Sequence, residues 1–306
     1  MPPYNGAAKM HIWLLAKREN FENYENVRFR QVAERMGIRL TLVAPDDCEI
    51  LATHGGRKSI LLCGEEITEF PDCVIPRTGS GTTYFTSAVI RQFEHLGVHV
   101  LNGSRSIEIA KDKLATVQTL AMNALPIPNT ILAKFPLDLD LIEKQFSYPV
   151  LIKKISGSEG KGIVLCENRA QLRDIAELIK TSANVIIQEC IVNSLGRDVR
   201  VFVVGGRVIG SMLRTANEGT FKANYSTGGN VQRFETTPEA EWLALESARL
   251  VGLDIAGVDL LFDGGGFRIC EVNSAPYFEG FEEATGIDVP QEIFDFIRVR
   301  LEGTLR

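Results

Sequence analysis

The sequence predicts a parallel α/β unit followed by two α+β lobes rich in antiparallel hairpins. Three observations carry that prediction. The first hundred residues alternate short apolar runs with helical patterns, the β-α-β rhythm of an open α/β sheet. Further on, Gly205-Gly206 and Asp263-Gly264-Gly265-Gly266 each sit between two apolar runs and mark hairpins. The chain has 306 residues, more than one simple core holds, which suits domains at 1–103, 104–190 and 191–306.

His11 to Leu15 reads as the first strand, and Val27 to Met36 as a helix stopped by Gly37. Ile38 to Val43, Ser59 to Cys63 and Cys73 to Ile75 read as strands. Thr83 to Leu96 is a helix with Phe85, Val89, Phe93 and Leu96 on one face, ended by Gly97, and Val98 to Leu101 closes the unit. A single helix is expected from Ser104 to Asn123, broken afterwards by Pro126 and Pro128. A buried strand at Pro149 to Lys153, a strand at Ile163 to Cys166, a helix near Gln171 to Lys180 and a strand at Val185 to Cys190 form the next block. The last third holds hairpins at Asp198 to Leu213 and Gly257 to Asn273, with helices at Pro238 to Val251 and Pro290 to Leu301.

Hydrophobic residues make up 45% and charged residues 24% of the chain, an ordinary globular composition. A net charge of −6 with no basic run argues against non-specific nucleic-acid binding, while leaving room for a local basic cleft. Cys48, Cys63, Cys73, Cys166, Cys190 and Cys270 show no C-x-x-C pair or metal-ligand spacing, so reduced thiols are expected. The N-terminus lacks a secretory pattern, and no apolar run nears the roughly 20 residues that span a bilayer. The expectation is a cytoplasmic protein with neither a nucleic-acid nor a membrane partner.

Three constellations carry chemistry. Gly157-Ser158-Glu159-Gly160-Lys161-Gly162 lies between two strands, where its amides and Lys161 suit phosphate oxygens. It fits neither the Walker A pattern nor the dinucleotide fingerprint, and a plain hairpin tip is the competing reading. Lys153, inside an apolar strand, tips the balance toward phosphate, because a buried ammonium needs an anion. In the second constellation, Glu271 and Asn273 share a strand face, and the hairpin sets Asp259 opposite Cys270 or Glu271. Two carboxylates about 5 Å apart repel unless something positive lies between them. Mg²⁺ or Mn²⁺ suits such oxygens, and the competing reading is a solvated edge pair. In the third, Asp198 and Arg200 share a face and Arg214 ends the partner strand. Bidentate phosphate contact and a surface ion pair both fit it.

These segments, with Gln188-Glu189-Cys190-Ile191, Gly196 to Arg200, Glu218 to Asn224 and Ala256 to Gly280, resemble the ATP-grasp ligases in order. More narrowly they resemble the RimK-like glutamate ligases. Pro71 to Arg77 and Arg91 to Glu94 extend the likeness to nearly the whole chain. Gly196 to Arg214 and Arg77 to Thr82 look similar to the branch making N-acetylaspartylglutamate or citrylglutamate.

The resemblance implies that Lys113 and Lys153 contact ATP phosphates under the Gly157, Ser158, Gly160, Lys161 and Gly162 loop. It places Glu189 and Cys190 at adenine, Asp198 near ribose, and Lys222, Ala223 and Asn224 around the nucleotide. Asp259, Glu271 and Asn273 would hold Mg²⁺ or Mn²⁺, as two ions, while Arg200 and Arg214 steady the transferred phosphoryl group. Ala223 stands where relatives often carry serine, and Tyr277-Phe278 is bulkier than usual. The implied activity joins a carboxylate and an amine through an acyl phosphate, adding L-glutamate to a small acid or a peptide or protein tail. A homo-oligomer, dimer or tetramer, is implied as well. A peptide macrocyclase of the same chemistry and a catalytically silent nucleotide-binding regulator are the alternatives. The full acidic set and both arginines favour a working ligase. The Arg77 to Thr82 segment either lines the substrate side or is only a tight glycine turn.

Overall fold

The computed structural model describes residues 9–54, 58–154, 162–179, 184–217 and 228–303. The chain opens with β1 (His11–Leu15), α1 (Tyr24–Met36), β2 (Arg39–Val43), β3 (Cys48–Ala52), β4 (Lys58–Leu62), β5 (Glu65–Glu66), β6 (Cys73–Pro76), α2 (Tyr84–His95) and β7 (His99–Val100). Strands β2, β1, β6 and β7 lie side by side in that order, all parallel. Every β1 residue is buried, as in a parallel strand covered on both faces. The chain leaves β1 toward β2 and returns to β6 on β1's other side, so the strand order reverses between β1 and β6. Helix α1 begins where the Asn23 side chain accepts from the Asn26 amide, and it ends at Gly37 with φ 69°. Strands β3, β4 and β5 form a separate small antiparallel sheet.

The predicted helix from Ser104 to Asn123 is two helices, α3 (Ser104–Lys111) and α4 (Lys113–Met122). Asp112 has extended backbone between them, and its carboxylate accepts from the Leu114 and Ala115 amides at 2.9 and 3.0 Å. Apolar periodicity runs on through the break, which hides it. An N-cap competes with helix continuation there and wins.

Next come β8 (Thr130–Ala133), α5 (Leu139–Gln145), β9 (Val150–Lys154), β10 (Ile163–Cys166), α6 (Arg169–Ile179) and β11 (Val185–Glu189). Their strands pair antiparallel in the order β10-β9-β11-β8. Ile142, Phe146, Ile152, Leu172 and Ile187 belong to a core of this lobe's own. The remaining elements are β12 (Arg197–Val204), β13 (Arg207–Thr215), β14 (Asn230–Phe234), α7 (Pro238–Val251), β15 (Ile255–Asp263), β16 (Gly266–Asn273), α8 (Glu279–Thr285) and α9 (Val289–Gly303). They build the antiparallel sheet β14-β13-β12-β15-β16.

The two faces of that sheet go to different neighbours. Val199, Val201 and Val203 pack with α7 and with Leu120 and Leu125 at and beyond the end of α4. Phe202 and Val204 instead share one core with β1, α1 and α9, through Ile12, Leu14, Phe29 and Phe294. Alternation of two along β12 thus fuses the last sheet to the first unit on one side and to helices on the other.

Candidate functional site

The site begins with register. β12 pairs β13 so that Asp198 faces Arg214, and pairs β15 so that Arg200 faces Asp259. β15 in turn sets Asp259 opposite Glu271. Of the two partners the sequence allows Asp259, the structure selects Glu271. The register then skips from Asp259↔Glu271 to Leu260↔Ile269, leaving Cys270 as an unpaired bulge residue. The bulge is why a count from the turn leaves one residue of ambiguity.

Charges then pair across the ladder. Arg200 donates through Nε and Nη2 to the two Asp259 oxygens at 2.7 and 2.8 Å. Arg214 does the same to Asp198 at 2.6 and 2.8 Å, and its Nη2 lies 3.0 Å from Asp259 Oδ2. Glu271 receives Lys113 Nζ at 2.5 Å, from the first residue of α4. The repulsion expected between Asp259 and Glu271 is therefore relieved by protein cations, two guanidiniums on one acid and an ammonium on the other. Burial opposes ionisation of Asp259, yet Arg200 and Arg214 outweigh it and hold its pKa down at about 2. Asp198 moves the other way: burial and the Asp259 charge raise it against the pull of Arg214. Lys113 stays raised because Glu271 outweighs its desolvation.

Across from this ladder, Lys153 is buried and its Nζ donates to Gln188 Oε1 at 2.5 Å. Gln188 passes the chain on, Nε2 to Thr130 Oγ1 at 2.9 Å. Lys113, Lys153, Gln188, Cys270 and Glu271 line one narrow cleft of about 70 Å³ between the second lobe and the last sheet. An ammonium there with a neutral amide partner is under-compensated and suits an anionic ligand.

Glu189 and Cys190 sit elsewhere, on a cavity of about 310 Å³ shared with Asn129, Phe146 and Tyr148. The Glu189 amide donates to Asn129 O at 2.9 Å, and its carboxylate faces Arg268 at 3.3 Å. Arg268 and Asn129 carry no motif in the sequence, and Gln188, inside the Gln188-Glu189-Cys190-Ile191 segment, has no role assigned there. A polar residue at the end of an apolar strand, as Gln188 is, was the available signal.

Asn273 completes the acidic edge, its Nδ2 3.4 Å from Asp259 Oδ2 and 3.3 Å from Gly257 O. Gly162 holds φ 79°, a conformation that favours glycine. Gly157, Ser158, Gly160, Lys161, Lys222, Ala223 and Asn224 lie outside the described residues. Among the described residues no three His, Cys, Asp or Glu side chains gather as a metal cluster. The acidic edge carries two carboxylates and an amide, and both Asp259 oxygens are already held by Arg200 and Arg214. Glu271 Oε2 and Asn273 Oδ1, from one face of β16, have no hydrogen-bond partner among the described residues. Such free oxygens fit a hard divalent cation.

Residues 110–297 match the RimK-like ATP-grasp domain, and residues 10–107 match the RimK PreATP-grasp domain. A probable alpha-L-glutamate ligase 1 of Shewanella frigidimarina (strain NCIMB 400) is 38% identical over 297 residues, covering 96% of this chain and 97% of that protein. The ATP-grasp ligase PsnB, in complex with a phosphomimetic variant of a minimal precursor, Mg and ADP, shares the fold with TM-score 0.74 at 20% identity. The alignment covers 95% of this chain and 98% of PsnB. D-alanine–D-alanine ligase from Bacillus anthracis, complexed with ATP, does so with TM-score 0.66 at 16% identity over 97% of this chain and all of that one, 100%. With both halves of the molecule matched and a relative similar from end to end, the chain belongs to the RimK-like ATP-grasp family of ATP-dependent ligases.

Proposed function

We propose that this chain is an α-L-glutamate ligase that activates an acceptor carboxylate with ATP and couples it to the amine of L-glutamate. The carrying observation is the cleft in which Lys113 and Lys153 meet beside the Arg200, Asp259, Arg214 ladder. An acceptor carboxylate oxygen attacks the γ-phosphorus of ATP, the bond to the bridging oxygen breaks, and ADP leaves. The glutamate nitrogen then attacks the acyl carbon, the C–O bond to phosphate breaks, and phosphate departs as the nitrogen gives up a proton.

In this reading Lys113 and Lys153 draw the phosphates in, with the Gly157 to Gly162 loop above them. Arg200 and Arg214 face the charge that builds on the transferred group, and Asp198 and Asp259 hold them in fixed orientation. Positioned charge of this kind is most of what phosphoryl transfer needs from a protein. Asp259, Glu271 and Asn273 would hold Mg²⁺ or Mn²⁺, which when bound neutralises phosphate charge. Glu189 and Cys190 stand toward adenine, and Lys222, Ala223 and Asn224 complete the nucleotide side. The acceptor is a small acid or a peptide or protein tail, and PsnB, which shares this fold, is solved in complex with the precursor peptide PsnA2. A homo-oligomer, dimer or tetramer, belongs to the same reading, and light scattering on the purified protein checks it.

The test is ADP release with ATP, Mg²⁺ and L-glutamate across a panel of acids and peptides. Turnover that needs both glutamate and an acid supports the reading. Release of ADP no higher with any carboxylate–amine pair than without leaves only nucleotide binding.

A further inference from the structure

Open parallel sheets bind ligands at the carboxyl ends of their strands where the strand order reverses. Here that point lies between β1 and β6, and the residues just past those two ends are Ala16-Lys17 and Arg77. Arg77 is an unusual occupant. Its guanidinium stacks 5.6 Å from the Phe278 ring centre and 6.0 Å from that of Phe29, and Nη2 donates to Pro276 O at 2.9 Å. Its Nε is buried and has no hydrogen-bond partner, and no carboxylate pairs with Arg77 among the described residues. Glu25, whose charge Arg77 feels, is engaged by the Phe278 amide at 3.1 Å.

Two more cations frame the same place. A Cβ placed on Gly81 would lie 3.3 Å from Lys17 Nζ, so the lysine runs across the turn Gly79–Gly81. Its acid neighbour Glu19 stands off at 3.9 Å. Lys111 Nζ donates to Thr82 O at the far side of the turn. The turn itself is locked, with the Thr78 and Thr82 hydroxyls 2.6 Å apart.

This place adjoins the chemistry. A Cβ on Gly79 would meet Ala275 Cβ at 3.5 Å, two residues past Asn273. A Cβ on Gly257 would lie 2.7 Å from Pro276 Cβ and 3.6 Å from Arg200 Cδ, so Pro276 and Arg200 flank one glycine. Arg77 thus holds the carbonyl of a residue packed beside Arg200.

We propose that Arg77, with Lys17 at the rim, seats a non-reacting carboxylate of the incoming amine substrate, an α-amino dicarboxylic acid. The proposal rests on the ligase reading and names where that substrate is gripped. With Nε buried and one Nη2 hydrogen on Pro276 O, the guanidinium keeps its Nη1 donors and its second Nη2 hydrogen for a carboxylate, and a group already desolvated by two phenyl rings loses little further hydration on meeting it. Held there, the substrate would be fixed at its inert end while its amine is left free to reach the acyl carbon.

The experiment uses the full chain with Lys17→Met and Arg77→Lys, the first at an exposed position so that folding is not in question. Steady-state KM is measured separately for L-glutamate and ATP, and L-glutamate is titrated calorimetrically into protein holding ADP and Mg²⁺. Both variants should raise KM and Kd for glutamate roughly tenfold to hundredfold, the range for one charge-assisted hydrogen bond, with KM for ATP unchanged. Equal shifts for ATP and glutamate, or unchanged glutamate binding beside a lowered Tm, would make Arg77 a structural clamp only and overturn the proposal. Turnover intact with glutamate KM unmoved sinks the seat and leaves the ligase reading standing. Arg77-dependent glutamate binding without any turnover does the reverse.

Discussion

At the scale of single residues, two buried charges of this site should respond oppositely to removal. Asp259 is shared by Arg200 and Arg214, so Asp259→Ala strands the largely buried Arg200 guanidinium and leaves Arg214 with Asp198 alone. It should cost about 3–5 kcal/mol of stability, the usual penalty for breaking a buried pair, read from urea denaturation. Among the described residues Lys153 has only a neutral amide as hydrogen-bond partner, so Lys153→Met should leave the urea midpoint unchanged or higher while KM for ATP rises at least tenfold, roughly one charge-assisted contact. Glu271→Gln keeps the shape of the residue and should leave the fold intact while abolishing Mg²⁺-dependent ADP release; unchanged turnover would remove the proposed cation site. A fourth residue, His11, gives pH dependence away from the site. His11 Nε2 accepts from Trp13 Nε1 at 3.0 Å, which needs the neutral ring, and burial first, then the Arg39 charge, lower its pKa below 6.5. The neutral form is favoured in the fold, so its contribution is present above pH about 6.5 and lost as pH falls through the lowered value. Wild-type protein should lose more stability between pH 7.5 and pH 5.5 than His11→Gln does, measured by denaturant titration at each pH.

At the scale of elements, the strands that were legible and those that were not differ in a physical way. β1, β9 and β12 are flanked by partners on both sides and read as continuous or alternating apolar runs. β3, β8 and β14, absent from the sequence expectations, lie at sheet edges, where one side of the strand has no partner and the apolar demand drops, although the edge strands β2, β10 and β16 carry enough apolar residues to be read. β14 reads Asn-Val-Gln-Arg-Phe and buries none of its residues fully. Helices α5 and α8 have seven residues each, too few to show a period. The split at Asp112 is the element-level error with a direct test. Asp112→Ala removes the cap of α4 and should cost about 1 kcal/mol, visible in the denaturation midpoint. Because Lys113 follows it and reaches Glu271, the same variant should also loosen that contact, giving a KM for ATP above that of wild type.

At the scale of the whole molecule, the cores are unevenly shared. The first unit and the last sheet form one core through Phe29, Phe202, Phe281 and Phe294. The lobe of β8 to β11 relies on a core of its own. Across the cleft the described polar links include Arg268 with Glu189 and with Ile127 O. A lobe that packs separately opens locally at lower free energy than the molecule unfolds. Amides of β9, β10 and β11 should therefore exchange hydrogen faster than those of β1 and β12, and ADP with Mg²⁺ should slow them. No helix among the described residues is long and apolar enough to cross a membrane.

Residue order alone fixes which side chains alternate along each strand, so Asp198 with Arg200 and Glu271 with Asn273 share faces whatever the fold. It also places Lys153 in an apolar strand. Which charge answers which follows from the folded arrangement. Arg200 and Asp259 are 59 positions apart and Lys113 and Glu271 are 158 apart. In-strand spacing is a local consequence of the pleat, whereas pairing between strands depends on register, and a single bulge at Cys270 shifts that register by one residue. The contact between Arg77 and the carbonyl it holds is tertiary too: the two lie 199 positions apart, and the core shared by the first unit and the last sheet, with Phe29 and Phe278 in it, brings them together.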